Sequence, residues 1–120
     1  AYDPDPSCFL GLRLPFDPYT GHFIEDYWQN WLHHDPAFPS SERLKNLASD
    51  MAIYIDCGSY DQYHLQFGAR ILHKNLIDHG IKHVFEEFPD NHTDLEYRYD
   101  ISLPFLVKSI LEKKSLQEAS

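Results

Sequence analysis

Two residues of this 120-residue sequence stand where they could move a proton together. Asp61 follows the apolar run "MAIYIDCG", and His92 follows the run "IKHVFEEF". A carboxylate beside an imidazole accepts a hydrogen bond from one ring nitrogen. It thereby fixes the tautomer and stabilises the cation formed when the other nitrogen takes a proton. The chemistry on offer is general acid–base transfer to a hydroxyl or a water. Competing readings exist for each residue. A histidine in a polar turn such as Asp90-Asn91-His92 is most often only solvated. Asp61 also reads as a cap for the helix that follows it. Asp56 competes for the acid role, but it lies inside its strand and is expected to face a donor on a loop. His33 and His34 are adjacent and diverge on a helix, a poor metal pair. His64, His73 and His79 lie along one helix at spacings that place no two on one turn. No metal site is expected from these spacings.

The elements that would position the pair are legible. "MAIYIDCG" reads as a strand ending at Gly58, and "IKHVFEEF" as a second strand ending before Pro89. Between them "DQYHLQFGARILHKNLIDHG" is the clearest helix. Leu65, Ala69, Leu72 and Leu76 form its apolar stripe, Gly68 is expected to allow close approach to a sheet, and Gly80 stands where a helix-ending glycine belongs. Strand, helix, strand predicts a parallel βαβ unit. Both post-strand loops then lie side by side at the carboxyl ends of the strands, where open α/β sheets collect their chemistry. "DISLPFLVKSILEKK" predicts a last helix with Ser102 as cap, Pro104 in the first turn and Leu106, Val107, Ile110 and Leu111 buried. Upstream, residues 1–22 are rich in proline and turn signals. "IEDYWQNWLHHDP" predicts a short helix ended by Pro36, with Tyr27, Trp28, Trp31 and Leu32 on one face. Ser40 or Ser41 caps a brief helix with Leu44 and Leu47 inward. The organisation expected is a partial α/β domain: an irregular and short-helical segment over 1–50, a βαβα unit over 51–113, and a tail over 114–120.

Composition excludes several classes. Apolar residues make up 42% and aromatics 15%, which is not a disordered composition. The net charge of −9 argues against a phosphate-binding surface, so no nucleic acid is expected as partner. No apolar run is long enough to span a membrane. No charged-then-apolar leader opens the chain, which tilts the expected compartment slightly to the cytoplasm. Cys8 and Cys57 form no CxxC pair and no zinc spacing.

The residues also carry a family likeness. "IYIDCGSYDQYHLQFGARILHKNLIDHGIKHVFEEFPDNHTDLEYRYDISLPFL" resembles the C-terminal part of serine esterases of the α/β-hydrolase superfamily, the group of esterase D-like and enterochelin-esterase-like enzymes. "LPFDPYTGHFIEDYWQNWLHHDP" is similar to the segment these enzymes insert before the acid-bearing strand. The most specific pieces are "IYIDCGSYDQY" and "EEFPDNHTDLEYRYD". The resemblance implies that Asp61 is the triad acid and His92 the triad base, with Trp28, Trp31 and Tyr60 on the substrate side and no cofactor. Family members often carry glycine just before the histidine; here Asp90-Asn91 stands there, and Asn91 is expected to tolerate a left-handed turn. No G-x-S-x-G nucleophile elbow is present, and Ser59 in "CGSYD" is not on one. The resemblance therefore implies the acid- and histidine-bearing part of a serine carboxylic-ester hydrolase, acting on a small-molecule ester together with the missing N-terminal half. The alternative is a non-catalytic interaction module, or pseudo-enzyme fragment, that pairs its exposed strand edge with another copy or another chain.

Overall fold

A computed structural model of the chain describes residues 3–118, apart from the side chains of residues 41, 48–50, 116 and 117. The chain divides at Ser41/Glu42 into two compact units. The first unit is turn-rich, with isolated antiparallel bridges Pro4–Leu12 and Phe16–Phe23. Its one helix, α1 (Glu25–His34), carries Glu25 and Asp26 in its first turn and His33 and His34 in its last, the polarity the helix dipole favours. Asp35 leaves the helix in extended conformation, as a residue before proline must. Arg13 ties several parts of this unit together. Arg13 bonds Asp5 through Nε at 3.0 Å and lies 3.5 Å from Asp3. Asp3 is buried and also takes the Asn30 amide at 2.9 Å, which joins the first turn to α1.

The second unit holds α2 (Ser41–Asp50), β1 (Tyr54–Gly58), α3 (Leu65–Asp78), β2 (Val84–Phe88) and α4 (Tyr99–Glu118), with a 3-10 turn at Glu96–Arg98. β1 and β2 are parallel, with Tyr54 opposite Val84, Asp56 opposite Glu86 and Gly58 opposite Phe88. The βαβ expectation holds, and the unit is of the α/β class. Side chains alternate across the pair. Ile55, Cys57 and Phe85 point to the α3 side, and Tyr54, Asp56, Glu86 and Phe88 to the side of Arg98 and Phe105.

The core is small. Leu44, Leu76 and Ile81 are buried, and Leu47, Ile53, Ile55 and Leu72 pack on them. Leu76, 1% exposed, is the anchor, and full burial of a leucine contributes about 2 kcal/mol. α3 ends beside it in a two-bond glycine cap: the Ile81 N–H donates to Leu76 O and the Gly80 N–H to Ile77 O, both at 2.9 Å. Gly80 sits at φ +65, where an L side chain is strained. The same cap turns Ile81 back onto Leu76, so one turn both ends the helix and closes the core.

Several expectations are corrected. Gly68 admits no close approach, since a Cβ there meets nothing within 4 Å. Leu65 is half exposed, and of the expected stripe only Leu76 is buried, with Ala69 and Leu72 partly so. α4 starts at Tyr99, directly from the 3-10 turn, so Ser102 lies inside the helix and its Oγ donates to Arg98 O at 3.2 Å. Pro104 stands past the first turn. Val107, Ile110 and Leu111 are exposed rather than buried. The helix runs on to Glu118, through positions 114–118 that were expected to form a tail; residues 119 and 120 lie outside the described residues. α2 falls with the strands rather than with the irregular N-terminal segment.

Candidate functional site

The two strands deliver their exit loops to the same place. The Ser59 N–H donates to Phe88 O at 2.8 Å, and the Tyr60 N–H to Asp90 O at 2.9 Å, so the loops are joined through backbone. Gly58 makes this approach possible. A Cβ on it would collide with the Asp90 and Asn91 carbonyl oxygens and lie 2.8 Å from the Asp90 carbonyl carbon. The requirement is close passage of backbone over the strand end.

On this frame Asp61 Oδ2 lies 2.8 Å from His92 Nδ1. Asp61 is 4% exposed, whereas the His92 side chain is 41% exposed. The other carboxylate oxygen, Oδ1, accepts the Tyr63 N–H at 2.8 Å. Burial works against the Asp61 charge, but the bonds from His92, from the Tyr63 and Leu65 amides and the His92 charge outweigh it, and the carboxyl is held below its ordinary range. Asp61 therefore stays ionised in neutral solution and acts as a fixed acceptor. This arrangement selects the His92 tautomer with hydrogen on Nδ1 and leaves Nε2 as the basic nitrogen. Among the described residues, nothing bonds Nε2.

Three neighbours hold the ring. The Gln62 side-chain oxygen accepts the His92 backbone N–H at 3.2 Å. The Tyr63 ring meets the His92 ring edge-on, with centroids 4.9 Å apart. Asn91 Oδ1 accepts both the Thr93 N–H at 2.7 Å and the Thr93 hydroxyl at 2.9 Å, bending the chain around His92. Asn91 thus shapes the turn with its side chain rather than with a left-handed backbone. The left-handed residues here are Asp94 (φ 58) and His64 (φ 60). His64 precedes α3 and gives it no side-chain cap; Asp61 accepts the Tyr63 N–H just ahead of that end of the helix.

Asp56 faces Arg98, whose Nε lies 2.9 Å away. The Arg98 guanidinium also bonds Glu86 and the Tyr54 hydroxyl, and sits 4.3 Å over the Phe88 ring. Asp56 is thereby committed to the sheet and is not the partner of His92. Cys57, near Asp61, is buried. Burial first and then the Asp61 charge push its thiol up, so it is no thiolate nucleophile. The Ser59 N–H is committed to Phe88, and the residue belongs to the loop between β1 and α3. Tyr60 is 71% exposed on that same loop. Trp28 and Trp31 belong to the N-terminal unit, where Trp31 Nε1 donates to Arg13 O at 2.8 Å. The same unit holds an open cavity of about 260 Å³ lined by Cys8, Leu12, Leu14, Phe16, Ile24 and Tyr27, and neither tryptophan lines it.

The sequence reading missed Gly58, Gln62 and Tyr63 as supports of the pair, and it missed Arg98. The register carried a signal for the last: Asp56 and Glu86 stand directly opposite, and like charges so placed require a cation. Among the described residues no group of three or more His, Cys, Asp or Glu side chains is placed to hold a metal. Among the described residues no helix is long and apolar enough to cross a membrane. Neither protein-family models nor curated protein sequences give a match to the chain.

Proposed function

We propose that this chain carries the acid and the histidine of a serine carboxylic-ester hydrolase of the α/β-hydrolase type. The observation that supports it is the 2.8 Å bond from His92 Nδ1 to the buried Asp61, with Nε2 unengaged, on adjacent loops at the carboxyl ends of parallel strands. The nucleophilic serine comes from a polypeptide element outside these 120 residues. His92 Nε2 takes the serine proton as Oγ attacks the ester carbonyl, and returns it to the leaving alcohol as the tetrahedral intermediate collapses. It then takes a proton from water, whose oxygen attacks the acyl-enzyme, and returns that proton to the serine Oγ as the acid leaves. Asp61 fixes the tautomer and stabilises the imidazolium throughout. Tyr60 stands on the substrate side of this loop; the same role for Trp28 and Trp31 requires the N-terminal unit to reach it. The reaction calls for no cofactor.

The test uses p-nitrophenyl acetate. The 120 residues alone are expected to give no turnover above background, because a triad without its nucleophile retains at most about 10³–10⁴-fold over water, and then only with an oxyanion hole present. Adding the polypeptide encoded immediately upstream, bearing G-x-S-x-G, is expected to produce turnover that His92→Ala and Asp61→Asn abolish. An upstream reading frame without that serine, or turnover by the chain alone that survives His92→Ala, would overturn the reading.

A second reading is a non-catalytic module that pairs with another copy or another chain. It is supported by exposed apolar residues of α4, where Val107 is 53% and Ile110 65% exposed, and by the buried Gln66, whose Oε1 has no donor among the described residues. Apolar strips of this kind find partners. Sedimentation equilibrium separates the two: a stable dimer of the chain favours the module, and a stoichiometric complex with the upstream polypeptide favours the hydrolase.

A further inference from the structure

We infer that His73 and His83 form a two-histidine site for a borderline divalent cation such as Zn²⁺ or Ni²⁺, which would clamp α3 to the start of β2. The site lies at the opposite end of β2 from His92 and owes nothing to the hydrolase reading. His73 Nδ1 and His83 Nε2 point at each other across 2.7 Å. Both rings are half-buried and both are held from behind. His83 Nδ1 donates to Ile81 O at 2.7 Å, so its Nε2 carries a lone pair toward His73. Ligating histidines characteristically hold a backbone carbonyl with their other nitrogen in this way. The His73 ring is stacked on Phe85, with centroids 4.3 Å apart and planes inclined by 17°, which fixes the plane in which its nitrogens lie.

The backbone under both rings is fixed. His73 lies in the middle of α3. His83 is set between the glycine cap, where Ile81 bonds Leu76, and the first sheet bond, where the Val84 N–H donates to Ile53 O at 3.0 Å. Without metal, the His73 N–H lies between the two nitrogens. With metal, that proton moves to His73 Nε2 through solvent, and Nδ1 becomes a ligand with no net proton released. Metal–nitrogen bonds of about 2.0–2.1 Å at a near-tetrahedral angle set the two nitrogens about 3.3–3.4 Å apart. The pair, 2.7 Å apart, thus opens by about 0.6–0.7 Å, within the reach of small ring rotations. Imidazole suits zinc, nickel and copper, and excludes calcium and magnesium, which take oxygen ligands. With two protein ligands, water completes the coordination.

Calorimetric titration of the 120-residue chain with zinc chloride tests the site. One binding event is expected, weakened at least tenfold by His73→Ala and by His83→Ala, and retained in His92→Ala and in the His33→Ala/His34→Ala double variant. Equal affinity in the His73 and His83 variants, or no binding to the unaltered chain, would overturn the inference. Should the alanine variants unfold, ring-nitrogen NMR of the unaltered chain decides. Zinc is expected to move the His73 Nδ1 and His83 Nε2 resonances, and movement confined to other histidines would count against the site.

Discussion

Gly58→Ala is expected to separate His92 from Asp61 while the core of Leu44, Leu76 and Ile81 stays formed. The added methyl meets the backbone of Asp90 and Asn91, not the tip of a side chain that could swing away. One of the two loops must move. The acid loop is the better anchored, because Asp61 takes the Tyr63 N–H and the N-terminal end of α3 follows directly. The Asp90–His92 segment therefore gives way, and the Tyr60 N–H to Asp90 O bond goes with it. Overpacking of this kind costs about 1–3 kcal/mol. The readout is the His92 Nδ1–H proton resonance, which lies far downfield and is slow to exchange while it bonds a buried carboxylate. Gly58→Ala is expected to abolish it as fully as Asp61→Asn does, with the β1–β2 amide pattern retained. Gly68→Ala, where the methyl meets nothing, is expected to leave it in place. In an assembly that supplies a nucleophile, misplacement of the base by an ångström costs about 10²-fold in rate. A persistent low-field resonance in Gly58→Ala would mean that the loops tolerate the methyl and that Gly58 does not position the histidine.

The fold was legible where one local signal governed. Gly80 after an apolar stripe set the end of α3, and the β-type runs on either side set two parallel strands. The juxtaposition of Asp61 and His92 was legible because parallel topology alone brings two post-strand loops together. What supports the pair was not legible. Gly58 resembles any strand-ending glycine until the partner loop is seen to cross it, and Gln62 reaches a backbone amide on the other loop. The start of α4 was misplaced because Ser102 and Pro104 mimic a cap and a first turn. Arg98, fixed by three acceptors from the sheet, begins the helix earlier. Exposure on α4 and at Leu65 was misjudged for a related reason: apolar periodicity says which face seeks cover, not whether the chain provides it. The pairing of His73 with His83 escaped notice because the residues between them include a helix end, a glycine cap and a strand start, and spacing rules address single elements.

Arg98→Met is expected to be the most destabilising substitution on the other face of the sheet. Arg98 has an 11% exposed side chain and bonds Asp56, Glu86 and the Tyr54 hydroxyl together. Burial and the Glu86 bond push the Tyr54 phenol up to about 12, and bonds from Tyr54 and Arg98 hold the Glu86 carboxyl below its ordinary value. Without the guanidinium, two carboxylates face each other in register with only a phenol between them. Breaking a buried ion pair by removing one partner costs about 3–5 kcal/mol. Glu86 is 42% exposed and retains water, which lowers the expectation to about 2–4 kcal/mol. That is a large part of the stability of a small domain. The effect should be specific to uncompensated charge. Adding Asp56→Asn and Glu86→Gln to Arg98→Met is expected to recover at least half of the loss in urea melts, because replacing all members of such a network is far less costly than removing one. Recovery also bears on the site. Arg98 packs over Phe88, and these two residues bound the segment that carries His92, so the single variant should broaden the His92 resonance before the melt begins. A triple variant no more stable than Arg98→Met would mean that the guanidinium acts through packing on Phe88 rather than through charge.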